Sequence, residues 1–597
     1  MLNSRIEKEI PLIYKKLFCR TDRQTYMRYL LYLISCLVIL GFAITEIETK
    51  KDYPQDYFRS PIDQPIRLSG TFGELRPNHL HSGIDIKAAG GKTGQPILAA
   101  AEGYIARIKV NSGGYGNAMY IVHPKDYMTV YAHLQNFSKE VADYVKKQQY
   151  AKKSYNVDLY LGPETFKVAK GEQIGRLGVS GRSFGPHLHF EIRDNRTQKP
   201  INPLLFGFEM EDHIAPKMHQ LKVYHLNDKK ETLRTKTYDL QKSGNNYRVK
   251  GDTLTVDAWR AGFALKVYDH HDGVPNWNGI YALQMYQDGE LVNGFHMETF
   301  AFKESRYINC HLDYEEQVTN KAYFNRCYPL PGNKLSVYDK KEGVIPLHKN
   351  KPSQIEMVAL DADGNKSTFT FWVKRGEVAE PPAKNFNYDL AYGQSNTITL
   401  SNLKASFPTG IFYENVYLKY ENSTDNSQDV YSSVHHLGSK TTPVHTYFDL
   451  SIKPENIPNH LRDKAVIAYC EGDKMISQGG KWKGDFLTTK VRGLGDYCVT
   501  IDDIPPTISP VSFSSNMAGA SKISFKIKDS MPTGGRAKSI RYKGYIDNQW
   551  VLMEFDEKKD ILVHRFDAKT GKGEHVFKLV VTDDRGNEAV FQEVFRR

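Results

Sequence analysis

The sequence predicts a mainly β chain: an N-terminal transmembrane helix, one glycine-rich β domain, and three β-sandwich-like modules after it. Three observations predict this. Tyrosine is abundant, at 37 of 597 residues, and glycine outnumbers proline 45 to 27, a composition suited to short strands and tight turns. Runs with period-two alternation recur from about residue 60 onward, as in Tyr104-Ile-Ala-Arg-Ile-Lys-Val110, the spacing of a half-buried strand. Finally, segments of the region 208–376 recur in the same order in 501–597, which marks two copies of one module. A chain of this length exceeds a single core.

The N-terminal element rests on charge. Tyr29 to Ile44 carries no charged residue, and the residues before it, 1–28, hold seven Lys/Arg against three Asp/Glu. Basic flanks stay cytoplasmic, so residues 1–28 read as a cytoplasmic tail and 29–46 as an anchor in the inner membrane. Everything beyond is then exported, to the periplasm or otherwise outside the cytoplasm. A cleaved signal peptide ending near Gly41-Phe42-Ala43 is the alternative. The net charge is +11 over the whole chain. No dense basic stripe accompanies it, which excludes nucleic acid as a first reading.

The first globular region, 60–207, reads as strands at Pro96–Ala101, Tyr104–Val110, Met119–Val122 and Thr129–Leu134. Residues 138–153, rich in Lys, Gln, Ala and Tyr, read as a helical insertion. Beyond it, Asp212-His-Ile-Ala-Pro216 resembles Asp502-Asp-Ile-Pro-Pro506, Tyr286–Val292 resembles Tyr545–Val551, and Met357–Asn365 resembles Leu579–Asn587. These pairs define immunoglobulin-like modules at 208–376, with an insertion, and at 501–597. A β-rich module at 377–500, opened by the linker-like Glu380-Pro-Pro-Ala383, lies between them.

Chemistry concentrates in the first region. In His81-Ser-Gly-Ile-Asp85 an extended backbone points His81 and Asp85 to one face, with Gly83 leaving space for an ion. In Gly185-Pro-His-Leu-His-Phe-Glu191, His187, His189 and Glu191 share a face. The two imidazoles stand about 7 Å apart by strand geometry, so one ligates and the other sits beside the open position. His133 comes from Val130-Tyr-Ala-His-Leu134. Zinc takes His nitrogen and carboxylate oxygen and keeps a position for water at catalytic sites. His81, Asp85 and His189 are thus the candidate Zn2+ ligands, one ion per chain, and His133 and His187 the candidate catalytic bases and acids. The glycine-rich stretches Ser112–Asn117 and Ser180–Gly185 let a peptide lie close to the backbone, and Tyr115, Asn117 and Ser183 in them are candidate substrate contacts.

Together with Gly171-Glu-Gln-Ile-Gly175, these motifs resemble the signatures of lysostaphin-type (LytM-like) zinc metallopeptidases over residues 65–207. The resemblance implies a compact antiparallel β fold of the duplicated hybrid motif type. It also implies zinc on His81, Asp85 and His189, catalytic histidines at His133 and His187, and cleavage of peptide bonds in peptidoglycan. All five positions are kept, so activity on peptidoglycan stem peptides is expected, with the β-modules meeting wall or envelope proteins. The connection from His133 to Gly171 is about 20 residues longer than the family's, and the insertion is expected to flank the groove. A non-catalytic adaptor that recruits or activates another hydrolase, and a peptidase acting on exported proteins, are the rival readings.

The remaining candidates read as structural. His79 is expected in a loop, and Asp269-His-His-Asp272 and His435-His436 in turns or on the surface. Asp361-Ala-Asp-Gly-Asn365 starts like a calcium loop but lacks the later glutamate, and with its twin at Asp583 reads as a hairpin turn. Cys310 with Cys327, and Cys470 with Cys498, are the expected local disulfides, with buried thiols the alternative.

Overall fold

The computed structural model of the chain describes residues 52–597, apart from residues 245, 252, 379–382 and 425–428. The expected cytoplasmic tail 1–28 and anchor 29–46 lie outside the described residues, as does most of Glu380-Pro-Pro-Ala383. Among the described residues no helix is long and apolar enough to cross a membrane.

The first region folds around one antiparallel sheet. Its order is Leu68–Gly70, Ile84–Lys87, His187–Asp194, Tyr127–Ala132, Ala118–Val122, Gly103–Val110 and Val157–Tyr160. A smaller sheet pairs Pro96–Leu98, Gln173–Leu177 and Leu134–Phe137. Between the two sheets lies an apolar core containing Ile84, Ile86, Tyr131, Leu134, Leu188, Phe190 and Ile192. These residues are the second face of the motif strands, which alternate as a strand buried on one side must. The expected insertion is the helix Lys139–Lys152. It buries Val141, Val145 and Gln149, spaced four apart on one stripe, and ends on Lys153 in the left-handed region at φ 47°.

The helix lines one cavity together with Asn117 of the first glycine-rich stretch. It docks on the last module: Lys146 pairs with Asp567 at 2.9 Å, and the Tyr150 ring meets Trp550 edge-on.

Three sandwiches follow. The first pairs a sheet built on Lys217–Leu226 and Arg260–Tyr268 with a larger one built on Ala282–Gln287, Ser353–Leu360 and Lys366–Arg375. Phe263, Leu265, Met285, Met357, Phe369 and Phe371 fill the space between them. The middle module has two five-stranded sheets and the last two four-stranded ones. The two repeated modules match strand for strand around their shared motifs: Arg260–Tyr268 runs into Asp269 as Lys522–Lys528 runs into Asp529. Four packed domains in one compact body, Tyr53–Arg597, bring segments far apart in sequence into contact.

The cysteines divide. Sγ of Cys470 and Sγ of Cys498 lie 3.4 Å apart on neighbouring strands. Cys310 and Cys327 do not form the expected disulfide. The Cys310 thiol donates to the Tyr307 carbonyl and the Cys327 thiol to that of Asn325, and each belongs to a different apolar cluster. Burial pushes the Cys327 thiol up to about 12, so it stays protonated and inert.

Phe263 is wholly buried and meets Phe371 edge-to-face at 5.3 Å. Phe263→Ala should destabilise the first sandwich by about 3–5 kcal/mol. Urea unfolding followed by hydrogen exchange of the Arg260–Tyr268 strand measures it; a loss below about 1 kcal/mol would show that this core collapses around the cavity.

Candidate active site

Antiparallel pairing of Ile84–Lys87 with His187–Asp194 sets Asp85 directly across from His189, and Leu188 across from Ile86. His81 precedes the first strand and folds back beneath it. Asp85 Oδ1 lies 3.1 Å from His81 Nε2 and 3.0 Å from His189 Nδ1, and the two imidazole nitrogens are 3.0 Å apart. The three residues are 2–5% exposed.

The remaining ring nitrogens settle the tautomers. His81 Nδ1–H donates to the Thr71 carbonyl at 2.7 Å, and His189 Nε2–H donates to Glu191 Oε1 at 2.8 Å. Three lone pairs therefore converge on one point. Without a cation there, a proton must take its place. Burial opposes charge on His189, but hydrogen bonds to Asp85 and Glu191 prevail and raise it to about 9, whereas burial drives His81 down to about 4. Donors about 2.0–2.1 Å from a tetrahedral zinc stand about 3.3 Å apart. Two imidazoles and a carboxylate at this spacing fit that ion and leave one position open.

A second ring of residues aims the ligands. Glu191 Oε1 also accepts from Ser82 Oγ at 2.7 Å and from the Tyr115 hydroxyl, while Arg193 Nε donates to Glu191 Oε2 at 2.5 Å. Burial alone would raise the Glu191 carboxyl; Arg193 and His189 instead hold it well below the usual carboxylate range. Arg76 Nη2 donates to Oδ2 of Asp85 at 2.6 Å, which leaves Oδ1 facing the two imidazoles. Motif reading missed Arg76, Ser82, Thr71 and Arg193. Only Arg193 had a local signal, being two positions beyond Glu191 on the same strand face.

His133 and His187 line the open side, with ring centroids 4.8 Å apart, and the His133 ring is 6.1 Å from that of His189. His187 Nε2 lies 3.5 Å from Asp85 Oδ1, near the ligand cluster but outside it. Each ring is held by its Nδ1: His133 donates to the Ser180 carbonyl at 2.8 Å and His187 to that of Gly185 at 2.9 Å. Both Nε2 atoms are thus free to exchange a proton. Burial lowers both rings, His133 to about 3, so both are neutral near pH 7. His133 has φ 61°, a conformation costing a non-glycine residue of order 1 kcal/mol and typical of functional positions.

The three expected substrate contacts are engaged within the protein. Tyr115 packs its ring on His189 at 5.0 Å and gives its hydroxyl to Glu191. Asn117 donates to the Leu134 carbonyl at 3.1 Å. Ser183, 2% exposed, donates to the Gly185 carbonyl at 2.6 Å and lies 3.2 Å from His187 Nδ1.

The glycines also differ from expectation. A Cβ on Gly83 would meet the Phe190 carbonyl at 2.3 Å, so Gly83 permits strand contact and does not make room for the ion. A Cβ on Gly116 would strike Ser180, and one on Gly181 would strike Gly114 and Gly116. The two glycine-rich loops need glycine to pack on each other. The last module braces them: Ser112 Oγ donates to Glu557 Oε1 at 2.6 Å, and Lys558 Nζ donates to the carbonyls of Val179 and Ser183 at 2.7 and 2.9 Å.

The fold and this donor set define a metallopeptidase-type domain. Residues 79–164 and 163–203 match the model of Peptidase family M23, and the chain carries an M23 domain of the LytM type. Residues 387–502 match a Zu5-like domain. The DD-carboxypeptidase/endopeptidase Mpg of Neisseria meningitidis is 37% identical over 143 residues, 23% of this chain and 26% of that protein. The peptidoglycan DD-endopeptidase ShyC of Vibrio cholerae is 31% identical over 151 residues, 24% and 28% of the two chains. The chain thus spans about a quarter of the length of the curated relatives it matches. Among solved structures, the catalytic domain of the M23 protein EnpA from Enterococcus faecalis is 26% identical, with 26% of this chain and 95% of that one covered and a TM-score of 0.18.

Glu191→Gln removes the charge that orients His189 while keeping its size. Zinc affinity, measured by competition with a chelator, should fall about 10–100-fold; unchanged affinity would show that Glu191 is only a packing residue.

Proposed function

We propose that this chain is a zinc-dependent endopeptidase that cuts peptide crosslinks in bacterial peptidoglycan. The observation that carries the proposal is the triangle of His81, Asp85 and His189, with two further neutral imidazoles, His133 and His187, facing the same point. The M23 domain and the printed names of its relatives supply the substrate class. Residues 29–46 would tether the enzyme to the inner membrane, leaving the rest in the envelope. The β-modules would meet wall or envelope partners.

Bound zinc would polarise the scissile carbonyl and lower the pKa of a water in the fourth position. The protein's own residues do the rest. Thr71 and Glu191 keep His81 and His189 in the tautomers that present lone pairs. Arg76 holds Oδ2 of Asp85. Neutral His187, tied to Gly185, can take a proton from the attacking water at Nε2. His133, tied to Ser180, can donate through Nε2 or stabilise developing oxyanion charge there once that nitrogen has gained a proton. The loops 112–117 and 180–185 form the walls along which an extended peptide would lie.

The deciding measurement follows muropeptide release from purified crosslinked peptidoglycan by the wild-type chain and two variants. Wild type should hold one zinc and free monomers. His189→Ala should lose both. His133→Ala should keep zinc but lose about 10²–10⁴ in rate. Zinc bound with no cleavage of any wall type would transfer the function to the β-modules as an adaptor. Cleavage of unfolded protein in place of wall would make the chain a peptidase of exported proteins.

A further inference from the structure

The two repeated modules share a buried cluster that the metallopeptidase centre does not involve. In each, three aspartates meet that are widely separated in sequence: Asp212, Asp269 and Asp361 in the first, Asp502, Asp529 and Asp583 in the last. The equivalence extends to individual hydrogen bonds. Asn365 Nδ2 donates to the Asp212 carbonyl at 3.0 Å and to Asp361 Oδ2 at 2.9 Å. Asn587 Nδ2 donates to the Asp502 carbonyl at 2.8 Å and to Asp583 Oδ2 at 2.7 Å. The Asn365 and Asn587 amides bond Oδ1 of Asp361 and Asp583, both at 2.8 Å. The segments read as hairpin turns in sequence are therefore one side of a carboxylate cage. Both segments are hairpin turns as expected, whereas Asp269 and His271, expected in a turn or on the surface, are buried at 1% and 3% exposed.

The copies differ in charge balance. In the first, His271 Nδ1 lies 3.1 Å from Asp212 Oδ2, and His271 Nε2 lies 3.4 Å from Asp269 Oδ2; burial opposes charge on this ring, but Asp212 and Asp269 raise its pKa. In the last, Met531 occupies the matching position, two residues after Asp529. Among the described residues no Lys, Arg or His pairs with Asp502, Asp529 or Asp583. Arg585 pairs with Asp584 and donates to the Ala465 and Gly480 carbonyls, and Lys464 donates to Asn587 and the Arg585 carbonyl. Oδ2 of Asp502, a residue only 2% exposed, and Oδ2 of Asp529 are buried without a hydrogen-bond partner. Burial and the charges of Asp583 and Asp529 outweigh the nearby Arg585 and push Asp502 up to about 7. Buried carboxylates left in this state cost several kcal/mol each, and a fold that keeps two of them beside a third, half-buried one has a counter-ion in prospect.

We propose that Asp502, Asp529 and Asp583 bind a calcium-type divalent cation, which staples the last module to the one before it. The donor set is all oxygen, which selects a hard cation. One oxygen of each aspartate lies within 4.8 Å of one from each other, the width of a shell with metal–oxygen distances of about 2.4 Å. The position gives the cation its role. Asp502 leaves the strand Gly495–Ile501, the final strand of the middle module, while Asp529 and Asp583 end strands of the last. The same junction holds the bonds from Ser477 N to the Pro532 carbonyl and from Gly534 N to the Ser477 carbonyl, at 2.9 and 2.8 Å. A cation there ties three chain segments from two modules.

The test uses the full, zinc-loaded chain dialysed against calcium chloride, with bound calcium counted by elemental analysis. One calcium should bind saturably with a midpoint of about 0.1–1 mM, the range of extracellular modules. It should raise the thermal midpoint and slow proteolysis between residues 502 and 507. Asp529→Asn, nearly isosteric and half-exposed, should weaken binding by about tenfold or more while zinc content stays at the wild-type level. Asp269→Asn, in the first module, should leave this calcium in place. No saturable binding by the wild type up to about 10 mM calcium overturns the proposal, as does binding that Asp529→Asn leaves unchanged.

Discussion

The register between Ile84–Lys87 and His187–Asp194 is the constraint on which the rest of the centre depends. It places Asp85 opposite His189, and a slip of one residue would turn every donor to the other face. The donors themselves cannot hold that register, because bringing two imidazoles and a carboxylate together without a cation is unfavourable. The apolar side of the same strands holds it. Ile84, Ile86, Leu188, Phe190 and Ile192 are all fully buried, and each contributes about 1.5–3 kcal/mol by leaving water. A slip would expose all five, so hydrophobic burial on one face fixes metal geometry on the other.

Given that register, the polar face is satisfied bond by bond. Glu191 is the hub: His189, Ser82, Tyr115 and Arg193 all donate to it. An ion of this kind buried alone would cost several kcal/mol; surrounded by four donors it instead fixes the His189 tautomer and anchors the tyrosine that covers that ring. Burial, and then the Glu191 charge, hold the Tyr115 hydroxyl well above its ordinary range, which favours its role as a donor to Glu191.

Much of this was legible in the sequence, for a definite reason. Asp85, His187 and His189 lie on strands where period two assigns faces, and His81 and His133 sit just before or after a strand, so the motifs could be grouped without coordinates. The helix at Lys139–Lys152 showed in composition, and the repeat in three short matches. What escaped reading needs contacts across long sequence separations. Arg76 reaches Asp85 from a neighbouring hairpin, and the internal partners of Tyr115, Asn117 and Ser183 come from other strands and loops. Gly83 and Gly116 look like space for a ligand, whereas they make space for the backbone of another strand or loop. The acidic cages were dismissed because a linear calcium loop was sought. Their carboxylates come from segments about 27 to 149 residues apart, which no local pattern joins.

The same long-range assembly ties the last module to the catalytic groove. Residues 179–183 carry the Ser180 carbonyl that holds His133 and the Ser183 hydroxyl beside His187. Lys558, from the far end of the chain, grips the carbonyls of Val179 and Ser183 on either side, and Glu557 takes Ser112 on the facing loop. Glycine-rich loops have little stiffness of their own, since their residues lose the most backbone freedom on ordering. Their order must then come from a partner, and the partner is a module held on one side by the helix Lys139–Lys152 through Asp567 and Trp550, and on the other by the Asp502 junction. The inserted helix, which has no part in the chemistry, therefore makes structural sense as the dock that keeps the final module pressed on the groove. In this chain the walls of the catalytic cleft are completed by residues more than 370 positions away from them.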